Sequence, residues 1–412
     1  MTESVETIII GAGQAGLSLS HYLNQAGMEH LILEKAPKIA DAWRNRRWDS
    51  FTLVTPNWTF QLPGAGYDGP DPDGFMTKDQ IVQRFDQFEQ VHHFSIQFST
   101  HVAEVAPQDG LHRYRVISNR GTFNARNVVL ATGMFQKVKI PPFATQIPEN
   151  ILQIPSDAYK NPQSLPPGAV LVVGSGQSGC QIAEEINEAG RKVYLSTGSA
   201  GRIKRRYRGK DMVHWMNQIK FFDRTPDMLP SPRDRLSAPP HVTGKGGGHD
   251  INLRTFHQNG IVLLGHLRGF ENGELIFIPD LAENLAKADI FSDTLLKLID
   301  EYILREAIDI PVQPMDAGGD FQPESEIKTL NPDVNHIQTI IWACGFTMEN
   351  LVQLPVRDED GLPITDGGVT RFPGLYYLGM LWMNKFKSGL LMGIAESAQH
   401  LAEAIEHHPT PS

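Results

Sequence analysis

The hydrophobic pattern changes period repeatedly along this chain, and each change marks an element. Residues 5–10 form a β-branched run without a breaker, which predicts a buried strand. Gly11-Ala12-Gly13-Gln14-Ala15-Gly16 interrupts the run. Apolar positions then recur at helical spacing through Leu17, Leu19, Leu23 and Ala26, with Gly27 as the stop. His30 to Leu33 returns to a strand and ends in Glu34. The same succession occurs a second time. The strand at residues 169–173 runs into Gly174-Ser175-Gly176-Gln177-Ser178-Gly179. A helical pattern follows through Ile182, Ala183, Ile186 and Ala189 to Gly190, and then a strand over residues 192–195. An internal repeat of strand, glycine turn, helix and strand predicts two units of one architecture.

Between and after the repeats the periods are shorter. Residues 77–91 predict a helix with Thr77 as N-cap. Residues 94–105, 114–118 and 121–124 predict short antiparallel strands, and residues 127–130 a strand that delivers Ala131-Thr132-Gly133. Residues 211–248 are the least regular stretch: an amphipathic helix over 212–222, then prolines, then Gly244-Lys245-Gly246-Gly247-Gly248. No strand feeds that last run and no GK[ST] closes it, so it predicts a hinge or turn. Residues 250–258 predict a helix, and 261–264 and 273–279 strands. Residues 281–305 predict a long helix. A strand over 337–342 leads into Ala343-Cys344-Gly345-Phe346, an echo of 130–133. The last helix is predicted to open at Lys387-Ser388-Gly389, after Gly379.

Each glycine of the first fingerprint has a physical task. Gly11 permits the tight turn, Gly13 lets backbone approach a pyrophosphate, and Gly16 lets helix and strand pack closely. The helix N-terminus adds free N–H groups and partial positive charge. Glu34 is placed to accept hydrogen bonds from ribose hydroxyls. In the second copy Ser196 stands where the first has Glu34, and Arg202, Arg205 and Arg206 follow among other basic residues. A carboxylate there would repel a 2′-phosphate, whereas a small hydroxyl plus arginines accommodates one. The first site therefore reads as FAD and the second as NADPH. The other reading of the basic run is a solvated loop.

Composition narrows the class further. A chain of 412 residues predicts two or three domains. The net charge of −10 argues against a nucleic-acid partner. No apolar run reaches the ~20 residues needed to span a bilayer, and residues 1–4 do not start a signal peptide. The only cysteines are Cys180 and Cys344, with no CxxC, which excludes a dithiol relay and suggests a reducing, cytoplasmic location. Both cysteines read as packed side chains, although Cys180 lies in the first turn of a helix, where a lowered pKa is conceivable. The sequence proposes no metal site.

Together, Gly11 to Gly16 with Glu34, Ala131-Thr132-Gly133, Gly174 to Gly179, Ala343 to Phe346, and Gly379 with Lys387-Ser388-Gly389 resemble the flavin-containing monooxygenase family, over nearly the whole chain. The class is that of single-component NADPH/FAD monooxygenases, and the resemblance is to its bacterial flavoprotein branch. It implies an α/β fold of two doubly wound, Rossmann-like domains, with the FAD domain discontinuous: residues 1–160 and 332–412 bind FAD, and 161–331 bind NADPH. It also implies that Lys35, Trp43, Trp48 and the backbone at Val102 touch FAD. NADPH would reduce the flavin, O2 would add to it, and the resulting C4a-peroxyflavin would oxygenate a small organic substrate. The alternative is an NADPH oxidase or quinone reductase. Two positions depart from the family pattern. Pro155 stands where a His is expected, and the family's active-site Asn corresponds to Asn57, which reads equally as an Asx-turn residue after Pro56.

Overall fold

A computed structural model describes residues 2–198, 200–237, 239–313, 321, 323 and 326–407. Both glycine fingerprints sit at the centre of a sheet. The first sheet has seven strands, in the order Ile96–Gln97, His30–Leu33, Thr2–Ile10, Gly121–Leu130, Tyr114–Ser118, Val102–Pro107, with Leu375–Tyr377 also paired to Gly121–Leu130. Gly121–Leu130 changes partner along its length. Its first half lies antiparallel to Tyr114–Ser118, and its last three residues lie parallel to Leu375–Tyr377. The predicted strands at 121–124 and 127–130 are thus one continuous strand, while the predicted 94–105 strand is broken by a turn at Ser99, whose φ is 52°.

The second sheet is wholly parallel: Leu152–Pro155, Ile337–Trp342, Ala169–Val173, Val193–Ser196, Val262–Leu264. Parallel strands need both faces covered, and Ala169–Val173 is buried at every position. This sheet takes Leu152–Pro155 from before residue 161 and Ile337–Trp342 from after residue 331. On strand pairing the middle unit therefore runs from Leu152 to Trp342, wider than 161–331. Local pattern marks 337–342 as a strand but not 152–155, and only pairing reveals that both join this sheet.

The chain crosses between the units twice, and the crossings pair with each other. Lys137–Val138 lies antiparallel to Phe346–Thr347, and the Lys139 N–H donates to Gly345 O at 2.9 Å.

The helices follow their sequence signals closely. Gln14–Gln25 and Gln177–Glu188 start at the fingerprints. Lys78–His92 is opened by a Thr77–Gln80 capping box, and Leu281–Arg305 is one 25-residue helix. The C-terminal helix differs from expectation. Phe386–Gly389 is a 3₁₀ turn, and the α-helix runs over Ile394–His407. Gly393 sits between them, where an added Cβ would lie 2.3 Å from the Lys387 carbonyl oxygen. No helix among the described residues is long and apolar enough to cross a membrane.

Candidate functional site

The two fingerprints have nearly the same local geometry. Gly11 has φ +111° and Gly174 φ +106°. A Cβ on Gly11 would sit 2.8 Å from Ala131 O, and one on Gly174 2.4 Å from Ala343 O. The echo between residues 130–133 and 342–346 is therefore structural: each closing strand ends against the turn of its fingerprint. Gly16 and Gly179 have the tightest fit, with a Cβ at 1.9 Å from Gly11 O and 1.8 Å from Gly174 O. By contrast, a Cβ on Gly13 or Gly176 would meet nothing within 4 Å. These two glycines leave open space at the helix start. No side chain caps either helix among the described residues. Uncapped N–H groups beside open space suit a pyrophosphate, so both sites fit a dinucleotide.

Glu34 completes the first site. It is buried, and its two carboxylate oxygens accept from Ala12 N at 2.6 Å and Ala36 N at 2.8 Å. Those bonds fix the carboxylate at the strand end, and each oxygen retains a further lone pair. The Thr100 N–H donates to the Glu34 carbonyl, which brings the chain leading to buried Val102 alongside. Ala40 N donates to Ala12 O, so the segment carrying Trp43 and Trp48 lies over the turn. Trp48 is buried against Phe51, and the Arg47 guanidinium lies 5.3 Å over the half-buried Trp43 ring. Lys35 is exposed. Thr132 Oγ1 and Gly133 O both accept from Gln136 Nε2 at 2.8 Å. Gln14 Nε2 donates to Gly389 O at 2.7 Å, joining the fingerprint to the C-terminal turn. Gly379, at φ +85°, presses on the same helix, where a Cβ would approach Ala15 Cβ to 2.6 Å. Ser388 is buried, and its Oγ accepts from Asn384 N and Lys385 N. Lys387 pairs with Asp223 at 2.8 Å and Glu396 at 3.0 Å. Burial opposes its charge, but these partners outweigh it and raise its pKa.

Asn57 is buried, and its amide is engaged with a loop. Nδ2 donates to Asp71 O at 2.9 Å and Oδ1 accepts from Met76 N at 2.6 Å. It staples the 71–76 turn through partners 14 and 19 residues away, which is not the local Asx-turn the sequence offered. Pro155 is the last residue of a strand paired with Trp342.

The second site departs from the expected cluster. Ser196 Oγ donates to Gly265 O and accepts from Leu267 N, both at 3.0 Å. It joins neighbouring strand ends. The arginines separate. Arg202 is buried and pairs with Asp289 at 2.7 Å. Arg205 is 1% exposed and pairs with Asp211. Arg206 is exposed and donates to Gly247 O and Gly248 O. Asp289 also receives a two-pronged pair from buried Arg254, at 2.9 and 2.6 Å, so two guanidiniums share one carboxylate. Sequence reasoning missed Arg254 and Asp289, whose contacts join distant segments, and Gln136, which bonds back to its near neighbours Thr132 and Gly133. Among the fingerprint residues, Gln177 reaches out of the helix to Val242 O at 2.7 Å, and Ser175 Oγ accepts from Gly198 N at 2.9 Å. Ser178 lies in the first helical turn.

Cys180 is fully buried, with Sγ 3.7 Å from His241 Nε2. Burial pushes the thiol pKa up and holds His241 down at about 4, so this pair has no activated thiolate. Burial raises Cys344 to about 11.

Two fingerprint units in one chain, one ending in a buried acid and the other in a neutral residue, define a two-dinucleotide oxidoreductase architecture. Residues 8–220 match the family model "Pyridine nucleotide-disulphide oxidoreductase". The chain belongs to the pyridine nucleotide-disulphide oxidoreductase family. It is 33% identical over 413 residues to an uncharacterized CzcO-like oxidoreductase of Geobacillus kaustophilus, covering 99% of this chain and 100% of that one. It is 28% identical over 207 residues to a probable indole-3-pyruvate monooxygenase, YUCCA3, of Arabidopsis thaliana, covering 47% of this chain and 46% of the relative. In fold it is similar to a flavin-containing monooxygenase from Stenotrophomonas maltophilia, with 19% identity, 98% of each chain covered and a TM-score of 0.65.

Proposed function

We propose that this protein is an NADPH-dependent, FAD-containing monooxygenase acting on a small organic molecule with O2. The observation that carries the reading is the pair of matched, uncapped glycine cradles, only one of which ends in a carboxylate. When bound, FAD would supply the redox chemistry between NADPH and O2. The chain's own residues bind and orient. Gly11, Gly13, Gln14, Ala15 and Gly16 present backbone to the FAD pyrophosphate, and Glu34 accepts from its ribose. Gly174 to Gly179 repeat this for NADPH. Trp43 and Trp48, with Ala131-Thr132-Gly133 and Gly379, would hold the flavin side. The relatives named as monooxygenases support the oxygenase reading.

A second reading, an NADPH oxidase or quinone reductase, draws on the engagement of Asn57 with its own loop and on Pro155, which has no side-chain donor. One experiment separates the two. Purified protein should be yellow with FAD and oxidise NADPH faster than NADH. Across a panel of amines, sulfides and ketones, at least one substrate should yield an oxygenated product with a matching fall in peroxide. Stoichiometric peroxide whatever the substrate would establish the oxidase.

A further inference from the structure

The three arginines expected at a 2′-phosphate point in different directions, and the direction of Arg205 is informative. Its guanidinium touches both units at once. Nη2 pairs with Asp211 Oδ1 at 2.5 Å, on the second unit. Nη1 donates to the Val54 carbonyl at 2.8 Å, on the first. Its face lies 4.8 Å from the centroid of Phe75, also on the first unit. The Arg205 backbone N–H donates to Asp250 Oδ1 at 2.5 Å. Nε of Arg205 and Oδ2 of Asp211 are buried without a partner among the described residues.

The glycine-rich strap beside it makes the same junction. A Cβ on Gly244 would lie 2.2 Å from Leu53 O and 2.6 Å from the Phe75 ring, and one on Gly248 2.8 Å from that ring and 2.9 Å from Arg205 Cδ. Only glycine lets the strap pass between the ring and the second unit. On its other side the strap is fastened to the second fingerprint helix. Gln177 donates to Val242 O at 2.7 Å and accepts from Val242 N at 3.3 Å, and Gln181 donates to Thr243 Oγ1 at 3.2 Å. A continuous set of contacts therefore runs from the first unit's loop, through Phe75, Arg205 and the strap, to a fingerprint residue of the second.

We propose that Arg205 is a positioning residue: it clasps the loop over residues 53–75 to the second unit and so sets the distance between a nicotinamide bound by one unit and a flavin bound by the other. This rests on the two-cofactor reading above. Hydride transfer is steeply sensitive to such placement, since a misplacement of about 1 Å costs on the order of a hundredfold in rate. A contact that holds two units in register acts on the transfer step and leaves each binding site intact.

The test uses the FAD-loaded full chain, reduced anaerobically by NADPH and by NADH in rapid mixing. The variants are Arg205→Lys, which keeps a charge for Asp211 but loses the planar fork, and Phe75→Leu, which alters the clasp from the opposite unit without burying an unpaired charge. Both should lower the saturating rate of flavin reduction roughly tenfold or more, to the same extent with either nucleotide, while Kd changes less than about threefold. An NADPH-selective rise in Kd for Arg205→Lys would make Arg205 a phosphate reader and overturn the proposal. Lowered thermal stability with an unchanged reduction rate in both variants would make it a purely structural contact and also overturn it. If the unaltered protein's flavin is reduced by neither nucleotide, the two-cofactor reading fails, and the clasp with it.

Discussion

The fingerprint gives Gly13 and Gly16 different tasks, and a methyl group would mean different things at each. Gly16→Ala would put Cβ 1.9 Å from Gly11 O, so the helix must shift and stability should fall by about 1–3 kcal/mol, the scale for overpacking. Gly13→Ala meets nothing within 4 Å, and its φ of −86° suits alanine. It should melt close to the parent and lose FAD, because the space it fills is the ligand's. Thermal melts and flavin content measured together check both, and equal destabilisation would refute the distinction. Glu34→Ala should weaken FAD by about 1.5–3 kcal/mol, the scale for a charge-assisted hydrogen bond, measured by titrating apoprotein. These residues were legible because the fingerprint ties each glycine and the acid to a fixed local task. Asn57 was not, since its amide partners lie at Asp71 and Met76, and no local rule predicts where a proline-rich loop folds back.

At the scale of elements, the basic run shows why proximity in sequence misleads. Arg206–Tyr207 pairs with Lys210–Asp211 in a hairpin, and neighbouring side chains on a strand point to opposite faces. Arg205 and Tyr207 are accordingly buried and Arg206 exposed. Of the expected trio, Arg202 shares Asp289 with Arg254, and we propose it as the one that would read a 2′-phosphate. Arg202→Ala should raise the NADPH KM about tenfold, the worth of ~1.5 kcal/mol for one charged contact, and leave NADH nearly unchanged, while Arg206→Ala should affect neither. Steady-state kinetics with both nucleotides decides it. Loss with both would assign Arg202 to holding the fold.

The strap adds a pH dependence. His249 Nε2 lies 2.8 Å from Glu184 Oε1. The hydrogen bond to that carboxylate raises the His249 pKa above 6.5, against a smaller opposing effect of burial. A raised folded-state value means the contact stabilises fully below ~6.5 and is lost as pH rises through the folded value. The imidazole is partly exposed, so the contribution is small. The His249 ring resonance should titrate above the free value, and Glu184→Gln should return it. An unshifted midpoint in the parent would show the pair to be unformed in solution.

For the whole molecule, the doubled architecture could be read from the repeat of period and glycine spacing alone. The allocation of strands to sheets could not. Ile337–Trp342 lies between the central strand Ala169–Val173 and the edge strand Leu152–Pro155, and parallel partners distant in sequence carry no local mark of their pairing. The junction between units was likewise hidden, because it uses a glycine strap and one buried arginine whose partners lie far away in the chain. If that junction governs transfer, NADPH oxidation and product formation should stay in step over a range of viscogen but separate in Phe75→Leu. Peroxide formed per NADPH is the measure, and unchanged coupling in that variant would count against it.

The paired crossings have a consequence for rebuilding the molecule. Adjacent strands lie about 4.8 Å apart, so Lys137–Val138 and Phe346–Thr347 bring the two ends of the middle unit side by side. That unit is in effect a cassette. Cutting both arms of the ribbon removes it with neighbouring termini, and a short turn rejoins the outer halves. A cassette from a relative that prefers NADH could then be exchanged through the same two cuts; if this unit binds NADPH as proposed, nucleotide choice should move with it while the other half's sheet and fingerprint stay untouched.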